Sequence, residues 1–153
     1  MERESNAFIS YLKRAGISIV RMTPSDEDDY RKKWFEKVVP ADKQQRAIDS
    51  YCFDKDGYSG YLWHVFSYYI LECIEGDNAK KIFDELRKQD AILLVNLGND
   101  CVPSCKMKNI SGITAKEIDA LSDVIFTDTN FEWTYVKTHE TGLCGPYFHW
   151  IEN

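Results

Sequence analysis

The chain has 153 residues, of which 44% are hydrophobic and 29% charged, as in an ordinary globular domain and unlike a disordered chain. The formal net charge of −6 disfavours nucleic acid as a ligand, because such binding depends on Lys and Arg neutralising phosphate. No apolar run approaches the ~20 residues that cross a bilayer, and the charged N-terminus lacks a signal peptide's apolar region. We therefore expect a cytoplasmic protein that does not enter membranes and keeps its five cysteines reduced.

The first third of the chain predicts three helices and one strand. Apolar residues at helical spacing indicate a helix over Ser5–Ala15, and the β-branched stretch Ile17–Met22 predicts a buried strand. A second helix is expected to open at Ser25 and to end before Pro40. A third, weaker helix is expected over Asp42–Tyr51.

The middle of the chain is harder to assign. Residues 61–74 are rich in aromatic and β-branched residues, which favours one or two strands bending near Ser67, with helix as the competing assignment. A helix capped by Asp77 follows. A central strand is expected from Ala91, then a turn at 98–100 and a less regular strand over Cys105–Ile110.

The last third predicts a short helix and a hairpin. Thr114 and Glu117 have capping-box spacing, and the strands Asp123–Thr127 and Phe131–Thr138 are expected to pair across a turn. An edge strand, Tyr147–Ile151, closes the chain. Together these elements predict a single α+β domain over residues 1–153, with a mixed sheet of five to seven strands and four or five helices.

The C-terminal segment 133–150 carries the densest group of reactive side chains. Alternate residues of a strand share a face, so the first hairpin strand could present an aromatic and basic recognition face to another protein. The contacts expected on this interpretation are Trp133, Tyr135, Lys137, His139 and Tyr147, with Trp150 nearby. The competing interpretation is that the alternating aromatic residues cover the core, and it is favoured for hairpins in general.

A second interpretation of the same segment is cysteine chemistry. Cys144 would be the nucleophile, His139 or His149 the base, and Glu140 the group that orients the imidazole. This hypothesis predicts a lowered pKa for the Cys144 thiol. Pro146 weakens it, because proline has no N–H to stabilise an oxyanion.

A zinc site is a weaker third interpretation. Cys144, His139 and His149 are suitable ligands, and Cys101 and Cys105 could add thiolates, but no paired CxxC motif is present. His64 lies between apolar residues and is expected to be a core histidine that donates to a backbone carbonyl. No nucleotide-binding or zincin motif occurs, so no cofactor is expected.

Two motifs, YLWHVFSY at residues 61–68 and WTYVKTHETGLCGPYF at residues 133–148, carry a family resemblance. The sequence resembles an uncharacterised family of small proteins of bacilli, known only as a domain of unknown function. The resemblance covers most of the chain from about Trp34 and implies no activity, substrate or cofactor. It implies a cytoplasmic, single-domain protein of a bacterium or phage.

The acidic charge, the predicted aromatic face and the missing cofactor motifs favour a non-catalytic protein that binds a protein partner, as immunity and inhibitor proteins do. The alternative is a hydrolase or transferase that uses Cys144 and His139.

Overall fold

The structure, a computed structural model, describes residues 2–49, 58, 61–96, 102–139 and 145–151. The helices in these ranges are α1 (Glu2–Arg14), α2 (Pro24–Val38), α3 (Ala41–Ala47), α4 (His64–Ser67), α5 (Asp77–Glu85) and α6 (Ala115–Ile118). The strands are β1 (Ser18–Arg21), β2 (Ile74–Glu75), β3 (Ala91–Val95), β4 (Cys105–Lys108), β5 (Val124–Asp128), β6 (Trp133–Lys137) and β7 (Tyr147–Trp150). The predicted α+β class is therefore confirmed, while the turn expected at 98–100 lies outside the described residues.

All seven strands form one sheet in the order β1-β4-β3-β5-β6-β7-β2. Every neighbouring pair is antiparallel, so the expectation of a mixed sheet was wrong. The helical connection from β4 to β5 joins two strands that run in the same direction. They do not form a parallel pair, because β3 lies between them.

Helices cover both faces of the sheet and create two cores. The α1/α5/α6 core packs side chains such as Phe8 and Phe83 against Leu93 and Phe126. The α2/α3/α4 core packs Trp34, Phe35, Phe66 and their neighbours against the opposite face of the same strands. Because both faces are covered, β3 is buried at all five of its positions, which confirms the predicted central strand.

Strand β1 was predicted to be buried but is exposed. All four of its residues are exposed, and the Val20 side chain is 61% accessible. The strand lies at the edge of the sheet and pairs only with β4, so its β-branched residues form strand structure without being buried.

Residues 61–74 also differ from the favoured prediction. They form turns and the single helical turn α4, and only Ile74 of this range enters a strand. Leu62, Val65 and Phe66 are fully buried at helical spacing in the α2/α3/α4 core. Aromatic and β-branched content suggested strand, but burial at i, i+3 and i+4 decided the local structure.

The helices begin close to the predicted positions, but two predicted caps were wrong. The N-cap of α5 is Gly76 rather than Asp77 and has no side-chain bond, and Thr114 makes no cap bond to the backbone of α6. α2 begins at Pro24, and the Thr23 hydroxyl, not that of Ser25, accepts a hydrogen bond from the Asp26 amide. At α6, the Thr114 hydroxyl donates to Glu117 at 2.7 Å, while the Ala115 amide is capped by Asp84. No helix in the described ranges is both long and apolar enough to cross a membrane.

The predicted β5–β6 hairpin is present, and hydrogen bonds to the Asp128 side chain stabilise its turn. One Asp128 carboxylate oxygen accepts from the amides of Glu132 at 2.6 Å and Trp133 at 3.2 Å. On β6, the Thr134 hydroxyl accepts a hydrogen bond from the indole of Trp34 in α2 at 3.0 Å. This bond holds α2 against the strand that leads to His139.

Candidate functional site

The aromatic residues of the C-terminal hairpin are buried. Trp133 is 5%, Tyr135 0% and Tyr147 2% exposed, with Trp133 and Tyr135 in the α1/α5/α6 core and Tyr147 in the other. Tyr135 stacks on Phe83 with a centroid separation of 4.4 Å. Burial, and then the Asp119 carboxylate, raise the pKa of the Tyr135 phenol. The core interpretation therefore accounts for these three side chains, and none of them is placed to contact a partner.

Lys137 and His139 remain at the surface end of the hairpin. The Lys137 ammonium is half-buried and donates to the carbonyls of Leu121 at 3.1 Å and Thr138 at 3.2 Å. The His139 side chain is 47% exposed. Of the five predicted contacts, these two are the ones whose position allows a partner to reach them.

A buried carboxylate holds His139 in place. Asp123 is fully buried just before β5, and both of its oxygens lie 2.9 Å from His139 Nδ1. The His139 backbone amide also donates to Asp123 Oδ1 at 3.0 Å. A carboxylate that accepts from Nδ1–H fixes the ring tautomer and makes Nε2 the basic nitrogen of the neutral ring.

Aromatic rings from the 61–68 motif surround this histidine. Tyr61 lies 5.6 Å and Trp63 6.3 Å from the His139 ring, measured between centroids. His64 in turn lies 4.2 Å from Trp63 and stacks on Tyr68 at 4.9 Å. The two motifs that carry the family resemblance thus meet in the folded chain.

Two tyrosines at the end of α4 extend this cluster to the surface. Tyr68 is 45% and Tyr69 78% exposed. Tyr69 has φ = 57°, a left-handed conformation that is costly for a large side chain and concentrates at functional positions. We name the group of Tyr61, His64, Tyr68, Tyr69 and His139 the tyrosine–histidine surface.

Trp63 lies under the tyrosine–histidine surface and carries a buried hydrogen-bond donor. Its indole N–H is buried, and it has no hydrogen-bond partner among the described residues. A buried donor without an acceptor costs about 1–3 kcal/mol, so each case in a native protein needs an explanation.

Comparison with known proteins gives a family but no function. A family model described as "Domain of unknown function (DUF4275)" matches residues 6–148, which is most of the chain. The chain belongs to this family. The predicted resemblance is therefore confirmed, whereas no curated protein and no solved structure matches the chain.

The two C-terminal histidines are not brought together. His149 lies opposite Thr134 in the β6–β7 register, whereas His139 comes five residues after Thr134, beyond the end of β6. His149 Nδ1 donates to the Glu72 carbonyl at 2.9 Å and its ring lies 5.5 Å from Phe66. In the described part of the chain, no group of three metal-ligating side chains occurs.

Of the described cysteines, Cys105 is buried and Cys73 is half-buried. Cys105 is fully buried in the α1/α5/α6 core, and burial raises its pKa to about 12. Burial, with a contribution from Glu75, raises the pKa of Cys73 to about 12 as well. Cys101, Cys144 and Glu140, which the cysteine and zinc interpretations used, lie outside the described residues.

Sequence reasoning missed Asp123 and the contribution of residues 61–68. Asp123 is 16 positions before His139, and only the antiparallel β5–β6 pairing brings them together. His64 was expected to be a core histidine; it is half-buried, and its Nδ1 lies 2.8 Å from the Ser67 hydroxyl. The useful signal was the hairpin itself, because Val124 at the start of β5 pairs with Lys137 at the end of β6, which places Asp123 beside the residues just after Lys137.

Proposed function

We propose that this protein binds a protein partner through the tyrosine–histidine surface, in the manner of an immunity or inhibitor protein. One observation carries the proposal: Tyr69 is 78% exposed and held in a left-handed conformation next in sequence to Tyr68, whose ring stacks on His64. Folding gains little from an exposed tyrosine in a strained backbone, so a selective advantage at another surface is the simplest reason for it.

The chemistry of the surface supports this function. Tyrosine and histidine present an apolar body and a polar tip, which suits interfaces that are wet when free and dry when bound. The formal net charge of −6 favours a basic partner, because opposite charge speeds encounter and suppresses wrong partners. The Tyr61, His64 and Tyr68 rings are held by contacts with Trp63 and each other, which lowers the entropy lost on binding.

The proposal is tested with the double variant Tyr68→Ala/Tyr69→Ala. Truncating both side chains removes the exposed rings and is expected to weaken partner binding about a hundredfold, as central hot-spot residues do. Partners are captured from the host lysate by wild-type and variant protein and compared by native mass spectrometry. The double variant should keep a wild-type melting temperature.

The matched control is Val20→Ala/Ile19→Ala on β1, which truncates two exposed side chains at the opposite end of the sheet. It is expected to capture the same partner as wild type. Equal capture by wild type and by Tyr68→Ala/Tyr69→Ala would overturn the proposal.

A second candidate function is favoured by the Asp123–His139 pair. A fully buried carboxylate that bonds Nδ1 of an exposed histidine is the arrangement that positions a general base. Under this hypothesis Asp123, rather than Glu140, orients the imidazole, and Cys144 is the nucleophile of a hydrolase or transferase. His139 would then take the thiol proton through Nε2.

Alkylation by iodoacetamide, mapped by peptide mass spectrometry, tests this second candidate. At pH 8, Cys73 and Cys105 should react slowly, because a thiol with a pKa of about 12 is only about one part in ten thousand thiolate. Cys144 should react fast in wild type and about tenfold more slowly in His139→Gln or Asp123→Asn. His149→Gln is the control and should leave the Cys144 rate unchanged; equal Cys144 rates in all four proteins would exclude the hypothesis.

A further inference from the structure

The sheet ends at β1, which has a hydrogen-bonded neighbour on one side only. All four of its residues are exposed, so no described segment covers this edge. The Met22 amide donates to the Ser104 carbonyl at 3.0 Å, which makes these two residues a hydrogen-bonded pair of the antiparallel ladder. Because such pairs alternate along the ladder, the N–H and C=O groups of Ile19 and Arg21 point away from β4. The edge therefore presents two donors and two acceptors to a further strand.

One face of β1 and β4 is also open to solvent. Ser18 and Val20 lie on this face and are exposed, as are their partners on β4, the side chains of Lys108 and Lys106. The α2/α3/α4 core packs on this side of the sheet. It reaches Ile92 of β3, which pairs with Lys106, but it includes no residue of β1 or β4. A strand added to β1 would thus find room for its side chains on this face.

The residues around this edge are basic, although the chain as a whole has 25 acidic and 19 basic residues. Exposed cations lie on β1, on β4 and at the end of α1, which leads into β1: Arg21, Lys106, Lys108, Lys13 and Arg14. None of them forms an ion pair with a described carboxylate, and Asp26 is the acidic side chain whose charge acts on Lys106. A basic edge on an acidic protein favours an acidic partner, because opposite charge speeds encounter and like charge repels wrong partners.

A second copy of the chain is a poor partner for this edge. Antiparallel pairing of two β1 strands would bring two sets of the same cations together, and like charges that face each other across strands are destabilising. Short edge strands with positive side chains are a means by which sheets avoid joining to one another. The charges that oppose self-association favour a strand of opposite charge.

From the free backbone groups, the open face and the charge, we infer that β1 binds an extended acidic segment of another protein as an eighth strand of the sheet. An acidic side chain opposite Arg21 forms a direct cross-strand ion pair. An acidic side chain opposite Ser18 meets Lys108 over the small serine, because strands two places apart are separated by about 10 Å. Apolar side chains lie opposite Ile19 and Val20. The segment recognised is therefore acidic–apolar–apolar–acidic.

The probe for this edge is the peptide acetyl-Thr-Glu-Val-Val-Glu-Thr-amide, added to ¹⁵N-labelled protein and followed by NMR. The amide signals of Ile19 and Arg21 should shift saturably, and at saturation both amides should exchange with solvent at least about tenfold more slowly, because each gains an acceptor. Signals that do not move would overturn the inference. Amides that become protected in the free protein as its concentration rises would also overturn it, because the added strand would then be a second copy.

Two control peptides separate strand pairing from charge. A peptide with lysine in place of both glutamates, and one with an N-methyl group on the second valine, should each bind at least about tenfold more weakly. The N-methyl peptide keeps both charges but lacks a backbone donor at the residue opposite Ile19. Equal binding of the lysine peptide would contradict recognition of acidic segments, and equal binding of the N-methyl peptide would contradict addition of a strand.

Variants of the exposed cations locate the contacts. Arg21→Glu/Lys108→Glu should weaken binding of the glutamate peptide about tenfold or more and tighten binding of the lysine peptide. Lys37→Glu/Lys81→Glu makes the same change in net charge near the other edge of the sheet, where Lys37 lies beside β7 and α5 packs on β7 and β2, and should have little effect. Equal losses in the two variants would show a general charge effect and would contradict the site.

This surface is separate from the tyrosine–histidine surface, because β4, β3 and β5 lie between β1 and the strand that leads to His139. Tyr68→Ala/Tyr69→Ala protein should bind the glutamate peptide as tightly as wild type. Loss of peptide binding in that variant would contradict an independent site on β1.

Discussion

Three charged residues are buried in the described part of the chain, and each makes hydrogen bonds with backbone groups. Arg31 Nη2 donates to the Val95 carbonyl at 2.7 Å, and Asp123 accepts from the His139 amide. The Lys88 ammonium lies beyond the end of α5, where it donates to Phe83 at 2.6 Å and to Leu86 at 3.2 Å. Buried charges are tolerated when such bonds replace water, and each then fixes one element relative to another.

Substitution of Lys88 tests whether hydrogen bonds to the backbone stabilise a buried charge. Its ammonium caps carbonyls at the C-terminus of α5 and lies 4.4 Å from the centre of the Phe83 ring. Lys88→Met keeps the length of the side chain but removes both ammonium hydrogen bonds, and the Phe83 carbonyl keeps only the longer bond from the Leu86 amide, at 3.3 Å. We expect the free energy of unfolding in urea to fall by about 1–3 kcal/mol.

Lys81→Met is the matched control, because Lys81 is exposed on the same helix. It should change the free energy of unfolding by less than about 0.5 kcal/mol. A Lys88→Met protein as stable as wild type would mean that removing a buried charge offsets the lost hydrogen bonds.

At the scale of elements, the sequence predicted those segments whose local pattern and tertiary environment agree. The helix that begins at Asp77 has Ala79 and Phe83 buried on one face, and β3 is a short apolar run bounded by polar residues. For residues 61–74 strand was favoured over helix, wrongly for all but Ile74, because aromatic and β-branched residues are common in any buried segment and not only in strands. The exposure of β1 could not be predicted, because a strand's place at the sheet edge is set by pairing between distant segments.

The same distinction applies to the candidate site. The hairpin predicted which residues of 133–139 share a face, but not that helices cover both faces and bury Trp133 and Tyr135. His139 was identified by its chemistry, whereas its partner Asp123 and its neighbour Tyr61 come from other segments. Contacts between segments far apart in sequence depend on sheet order, which one sequence does not determine.

At the scale of the whole molecule, one sheet separates two cores, and the same strands serve both. On β5, Phe126 enters the α1/α5/α6 core and its neighbour Ile125 enters the α2/α3/α4 core. Neither core can keep its half of the sheet ordered if the other is lost. We therefore expect the two cores to unfold as one cooperative unit.

Truncations on opposite faces test this. Phe83→Leu and Phe35→Leu each remove packing from a fully or almost fully buried ring and should each cost about 1–2 kcal/mol of unfolding free energy. Their double variant should unfold in a single urea transition, with costs that add within about 0.5 kcal/mol. Phe83→Leu/Phe126→Leu is the comparison pair within one core. The centroids of these two rings lie 5.8 Å apart, so the two costs in unfolding free energy should not add. Two separate transitions in either single variant would contradict a single cooperative unit, because one core would then keep the shared strands folded without the other.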